Sequence, residues 1–493
     1  MDSRVASTCL LLVLAGCGGS APRFPGKSLI LISIDTLRAD ALGVYGERKP
    51  TSPALDRLAA ESILFRRAIS PSCVTAPSHM SLLTGLYPTV HLVDNWSFLT
   101  TEEGRSKVAR RRLGREVATL ASVLGEKGYA TAAFVGGGNV SHEMGFDQGF
   151  DLYDDGADNG MNGNREQLFD PTRSLEWLSA HRGEKLFAFL HTYIPHGPYL
   201  PPPPWDTAFT DPSYAGQIPG DRREFYAERG KTYQERTVEY WAKVKPDERD
   251  VAHLHDLYRG DVRYADDALA RILDGLRESG ILDACVLVLV SDHGEEFLEH
   301  GSFEHQKKLY EELVHVPLLI RLPGGHRGGT VIDDAVPLLS VMPTVLELLA
   351  VDPPRQVMEE SLVPLLGDGP APAAVISEKV LEWSAEPASS GDPLFRPTGI
   401  LRAVRWGSWT YIRRTGSDAS EELYDRATDP LEARNQARNP ARSAILDELR
   451  SLLAAHESRC SERAATLGQA ETATLSARTL EELEALGYLR GDE

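Results

Sequence analysis

Residues 28–35 read Ser28-Leu29-Ile30-Leu31-Ile32-Ser33-Ile34-Asp35. A nearly continuous apolar run without polar alternation predicts a strand covered on both faces, which is the signature of a parallel sheet. Asp35 falls at its carboxyl end, the edge where open α/β sheets bind ligands. Further apolar runs follow at Tyr129–Val135, Lys185–His191, Cys285–Val290 and Val316–Ile320. Between them lie helical patterns at Leu120–Lys127, 171–182 and about 251–279. The alternation predicts an α/β fold: a large doubly wound, mostly parallel sheet flanked by helices. Beyond the Pro/Gly-rich stretch 364–373, runs at Ala374–Val380, Gly399–Trp406 and Ser408–Arg413 predict antiparallel strands of a smaller C-terminal α+β subdomain.

Two stretches carry chemistry. The strand ending at Val290 delivers Ser291-Asp292-His293-Gly294-Glu295-Glu296. An Asp-His pair at a strand exit offers an oxygen and a nitrogen ligand. The second stretch is Ser72-Cys73-Val74-Thr75-Ala76-Pro77-Ser78-His79-Met80-Ser81-Leu82-Leu83-Thr84-Gly85. Pro77 suits a first helical position, with Ser78–Thr84 as a short helix closed by Gly85. Thr75 then sits at a helix start, before unpaired backbone N–H groups and a positive dipole end. That place suits an anion or a nucleophile attacking one.

These stretches resemble the sulfatase family of the alkaline-phosphatase superfamily. The match is Thr75, Pro77, His79 and Ser81-Leu82-Leu83-Thr84-Gly85, followed by the Asp-His pair, a His196-Gly197-Pro198-Tyr199 loop, Leu309-Tyr310-Glu311, Pro343-Thr344 and Glu422-Leu423-Tyr424-Asp425. It covers about residues 28 to 436. Thr75 stands where the family has the Cys or Ser that is oxidised to formylglycine, and Cys73 is out of register. His79 stands where it has Arg, and Thr36 where many members have a second Asp. The Gly-Lys-Trp-His element is absent. Asp292-His293 in place of Asp-Asn is more like the superfamily's phosphonate monoester and phosphodiester hydrolases.

The resemblance implies roles. Asp35, Thr75, Asp292 and His293 would hold one divalent cation, with Ca, Mn, Zn and Mg all open. Thr75 would be the nucleophile. His196, in preference to His191, would contact the substrate anion or protonate the leaving group. Lys307, just before Leu-Tyr-Glu, would bind the ester anion, with His305 second and Lys308 facing solvent. His79 and Asn95 would help stabilise developing charge. The charges in Tyr258–Asp267 read as a solvated helix face.

The amino end reads as an exported lipoprotein. Arg4 and the short apolar run Leu10–Gly16 precede Cys17 and Gly18-Gly19-Ser20. The run is too short to span a bilayer and resembles a bacterial lipobox, so Cys17 is expected to be lipidated. Residues 1–16 are then a signal peptide, 17–27 a linker, 28–370 the catalytic domain, 371–436 the subdomain and 437–493 a helical tail. The expected location is the bacterial cell envelope, on its periplasmic side or surface, with a membrane contact through the lipid. The formal charge of −20 excludes nucleic acid as a partner, while a bound metal still permits an anionic substrate. Five Cys at wide spacing give neither a disulfide framework nor a Cys-x-x-Cys site.

The expected activity is hydrolysis of a small-molecule, glycan or lipid ester of sulfate, phosphate or phosphonate. Alternatives are a phospho-group transferase or an inactive lipid-anchored binding protein. Threonine cannot eliminate sulfate as formylglycine does, which favours phosphorus esters. Sequence leaves the oligomeric state open.

Overall fold

The computed structural model describes residues 22–95, 97–102, 105–156, 171–218, 244–305, 308–367, 369–386, 394–468 and 470–485. The strand Ser28–Ile34 lies within an eight-stranded sheet. It pairs in parallel with Leu186–Thr192 on one side and Cys285–Val290 on the other, Leu31 facing Phe189 and Val288. Its side chains alternate between two cores. Leu29 and Leu31 join one cluster, and Ile30, Ile32 and Ile34 join the other. Both faces are therefore covered, which is why the run needed no polar alternation.

From edge to edge the strands are Val331–Pro337, Ile63–Ile69, His315–Arg321, Cys285–Val290, Ser28–Ile34, Leu186–Thr192, Ala130–Phe134 and Leu152–Asp154. His315–Arg321 runs antiparallel to both neighbours, so the sheet is mostly parallel, as expected. Ile63–Ile69 keeps two arginines in its middle, a polar break that hid it from the pattern. Val331–Pro337 is half exposed and Leu152–Asp154 has three residues, so neither carries a buried-strand signature.

The long helix Glu248–Glu278 starts at a reciprocal cap between Asp247 and Asp250. Its charges are not all solvated, contrary to expectation. Asp266 is buried and accepts from the N–H groups of Ala54 and Leu55 at 2.8 Å each. It caps the helix Pro53–Ala60, whose own Ser52 makes no capping bond. Tyr258 of the same helix is buried and bonds both the Arg38 N–H and the Thr36 carbonyl.

The subdomain is a four-stranded antiparallel sheet: Val375–Glu386, Leu394–Trp406, Trp409–Arg414 and Ser420–Asp425. The last strand contains the Glu-Leu-Tyr-Asp motif. The tail is not wholly helical. Helix Ser443–Thr466 is followed by strand Glu471–Thr474, which pairs with Arg105–Arg112, and then by helix Ala477–Ala485. Among the described residues, Cys73, Cys285 and Cys460 are buried and form no disulfide. Among the described residues, no helix is long and apolar enough to cross a membrane.

Candidate active site

Three strand exits and one helix start meet at the carboxyl edge of the sheet. Asp35 follows Ser28–Ile34, Asp292 and His293 follow Cys285–Val290, and the histidine loop follows Leu186–Thr192. The helix runs Thr75–Thr84, two residues longer than expected at its start, with Val74 as cap. Pro77 is therefore third rather than first in the helix. It is tolerated because the amide it lacks would have had no partner in the first turn. Gly85, with φ 67°, closes the helix as predicted.

Thr36 turns the chain after Asp35 with φ 55°, a conformation that β-branched residues avoid. The turn aims its N–H at Asp292 Oδ1, 3.2 Å away. Gly294 lets the other loop pass close to the chain at Glu312, where a Cβ would collide with a carbonyl.

Asp35, Thr75, Asp292, His293 and His79 are all fully buried. Thr75 Oγ1 lies 3.3 Å from His293 Nε2, and His293 Nε2 lies 3.3 Å from Asp292 Oδ2. His293 Nδ1 donates to the Gly294 carbonyl at 3.0 Å, which fixes the tautomer and leaves the Nε2 lone pair toward the carboxylates. Both carboxylate oxygens of Asp35, and Oδ2 of Asp292, are buried without a hydrogen-bond partner. Burial pushes Asp35 up to about 7, with His305 opposing. Burial, then the charge of Asp35, pushes Asp292 well above the usual carboxylate range. Two adjacent buried carboxylates with orphaned oxygens are costly unless a cation joins them. Asp35, Asp292 and His293 bring ligand atoms within 4.8 Å of one another. The oxygen-rich donor set with one imidazole fits a divalent metal.

Asp35, His79 and His191 form a second such triplet, but the hydrogen bonds give these imidazoles another task. His79 Nδ1 lies 3.0 Å from the Thr75 carbonyl, which can only accept, so Nδ1 carries the proton. That nitrogen is also 3.4 Å from Asp292 Oδ2. His79 Nε2 meets Ser33 Oγ at 2.8 Å. In His191, Nδ1 accepts from the Gly136 N–H at 3.3 Å, which puts the proton on Nε2, 3.6 Å from Asp35 Oδ2. His191 thus turns an N–H toward Asp35, while the N–H of His79 is held by the Thr75 carbonyl beside Asp292. Burial, then His191, holds His79 well below the ordinary histidine range, and burial takes His191 to about 3. Burial favours the neutral form of both.

Asn95 Oδ1 accepts from the Ala76 N–H at 3.0 Å, while its Nδ2 is buried without a partner. Asn95 is thereby fixed at the start of the helix Thr75–Thr84. His196 is buried, with Nδ1 donating to the Gly197 carbonyl at 2.8 Å. Its ring lies 5.0 Å from that of His305, which lies 4.4 Å from that of His293. Lys308 does not face solvent freely: its Nζ donates to Glu296 at 2.9 and 3.0 Å. Lys307 and Cys17 lie outside the described residues. His191, ranked below His196, stands beside Asp35. Glu295, inside the quoted Asp-His-Gly-Glu run, is buried beneath His305.

A family model described as Sulfatase matches residues 27–351. This chain belongs to the sulfatase family. A second model, the C-terminal part of N-sulphoglucosamine sulphohydrolase, matches residues 298–459. The chain is 23% identical to a Δ4,5-hexuronate-2-O-sulfatase of Bacteroides thetaiotaomicron over 89% of this chain and 90% of that protein. It is 25% identical to a multifunctional alkaline phosphatase superfamily protein of Trinickia caryophylli, covering 85% and 93%. Its fold matches the phosphonate monoester hydrolase of Silicibacter pomeroyi with a TM-score of 0.65 at 22% identity, covering 88% and 95%. This sulfatase-family protein is a hydrolase of sulfuric or phosphoric esters, and its site carries a candidate metal-ligand set.

Proposed function

We propose that this sulfatase-family protein hydrolyses phosphate or phosphonate esters through Thr75, at a site holding one divalent metal between Asp35, Asp292, His293 and the Thr75 hydroxyl. The observation that carries this is the position of Thr75 Oγ1, 3.3 Å from His293 Nε2 at the first turn of a buried helix. When bound, the metal would polarise the ester and lower the pKa of the attacking hydroxyl. Thr75 Oγ1 attacks phosphorus as its proton passes to water, and the bond to the leaving alkoxide breaks. That alkoxide takes the Nε2 proton of His196 in its imidazolium form, Nδ1–H staying on the Gly197 carbonyl. Asn95 Nδ2, and His305 in its imidazolium form through Nε2–H, stabilise the charge on the non-bridging oxygens, as Lys307 would. Water then cleaves the phosphothreonine, regenerating the hydroxyl and releasing the phosphorus acid. Threonine supports this second step as an ordinary ester hydrolysis. Sulfate release from formylglycine needs a geminal hydroxyl that Thr75 lacks.

The relative named as a hexuronate-2-O-sulfatase keeps a second reading in play: sulfate esters on acidic sugars, including glycosaminoglycans, with the same residues. The lipobox-like stretch ending at Cys17 supports a place in the cell envelope. The deciding experiment compares wild-type protein with Thr75→Ala on aryl phosphate, phosphodiester, phosphonate and sulfate, each with Mn, Zn, Ca and Mg. Thr75-dependent turnover of phosphorus esters is expected. Turnover of sulfate alone would overturn the proposal.

A further inference from the structure

Glu295 lies two residues beyond His293, and its side chain is fully buried. Its oxygens serve neither Asp35 nor Asp292. Oε1 accepts from His305 Nδ1, and Oε2 accepts from the Tyr199 hydroxyl. The donors come from different parts of the chain. Tyr199 closes the His-Gly-Pro-Tyr loop after strand Leu186–Thr192, and His305 follows the short strand Phe303–Glu304. The Glu295 carbonyl also accepts from Arg38 Nη1 at 2.8 Å, which joins the loop after Asp35 to the same point. One carboxylate residue therefore ties together the loops that follow three central strands.

The ring so held is well placed. His305 lies between the metal-ligand candidate His293 and the acid candidate His196, at ring separations of 4.4 and 5.0 Å. A histidine on a loop can rotate and exchange tautomers. A carboxylate accepting from Nδ1 fixes both the ring plane and the tautomer, and so decides which nitrogen is presented on the other edge. Burying a carboxylate is costly, and at a purely structural position an apolar residue would serve as well.

We propose that Glu295 is a positioning residue for the hydrolysis: it orients His305, and through Tyr199 the loop of His196, so that both imidazoles meet the ester anion. This rests on the reading above, in which His305 faces the substrate anion. The test compares Glu295→Ala, Glu295→Gln, His305→Ala and the double variant Glu295→Ala/His305→Ala in the manganese-loaded protein. Each alanine variant should lower kcat about 10–100-fold with bound manganese unchanged. The double variant should be no worse than the weaker single one. Glu295→Gln, which keeps an oxygen for Nδ1–H, should recover most of the loss. Multiplying losses, a wild-type kcat in Glu295→Ala, or loss of manganese in step with kcat would overturn the proposal. If wild-type protein turns over no ester, the functional reading fails, and positioning is read instead from the thermal shift given by inorganic phosphate. An equal, non-additive reduction in the three alanine variants supports it; an unchanged or additive shift refutes it.

Discussion

His79 Nδ1 stands 3.4 Å from Asp292 Oδ2 with its proton already committed to the Thr75 carbonyl at 3.0 Å. One imidazole thus touches both the backbone of the proposed nucleophile and a proposed metal ligand. Being neutral, it fills the space beside Asp292 without competing with a cation. His79→Ala should weaken manganese affinity about 10–100-fold, the usual consequence of losing a partner behind a ligand. Calorimetric titration measures this directly. An unchanged dissociation constant would remove His79 from the metal site.

Thr75 separates two chemistries by one methyl group. Thr75→Ser keeps the hydroxyl beside His293 Nε2 and should keep turnover of phosphorus esters. Thr75→Ala should lower kcat by about 10³-fold or more, as loss of a nucleophile does. Intact-mass measurement after a rapid quench should find a phosphoryl adduct on the wild type and none on Thr75→Ala. An adduct that persists in the alanine variant would place the nucleophile elsewhere.

Asp35 makes the metal-free protein sensitive to pH. Its pKa is raised from 3.8 to about 7 by burial. The folded state therefore holds a proton that the unfolded chain gives up near pH 4. Stability is fully present below that pH and declines as pH rises toward 7, by an amount on the order of 4 kcal/mol. Asp292 is shifted in the same direction. With chelator present, the melting temperature should fall between pH 4 and 7. Manganese should restore it most strongly at the upper end, where no proton has to leave. Asp35→Asn should flatten the decline, and an equally steep decline in that variant would assign it to other groups.

Much of this was legible because Ser28–Ile34 and Cys285–Val290 are covered on both faces, and such strands have little freedom in composition. Each also ends in its ligands, Asp35 and Asp292-His293. Ile63–Ile69 was not legible, because Arg66 and Arg67 interrupt an otherwise buried strand. Asp266 misled for the opposite reason: sequence gives its charge but not that Ala54 and Leu55 turn their amides toward it. The contacts of His191 and Glu295 were not legible, because their partners Asp35 and His305 stand on other loops. Only the meeting of loops at the sheet edge brings Asp35 to the one and His305 to the other.

The subdomain is held against the short helix Pro88–His91 through Glu378, and this gives a prediction remote from the chemistry. Its fully buried carboxylate accepts from Arg402 Nε at 2.7 Å and His456 Nε2 at 2.9 Å on one oxygen, and from the Thr89 hydroxyl at 2.7 Å on the other. Burial alone would raise its pKa, but His456 and Arg402 outweigh that and hold it well below the usual range. The adjacent Lys379 donates to Asp94 at 3.0 Å, one residue before Asn95. The pairing joins the subdomain strand, the tail helix and the segment that carries Asn95. Glu378→Ala should leave Arg402 buried with one partner fewer, at a cost of about 3–5 kcal/mol, and lower the melting temperature at neutral pH. Glu378→Gln should cost less, because its amide oxygen still accepts from Arg402 and His456, although its NH2 cannot accept from the Thr89 hydroxyl. Equal melting temperatures for Glu378→Ala and wild type would show that the subdomain is held by its apolar contacts alone.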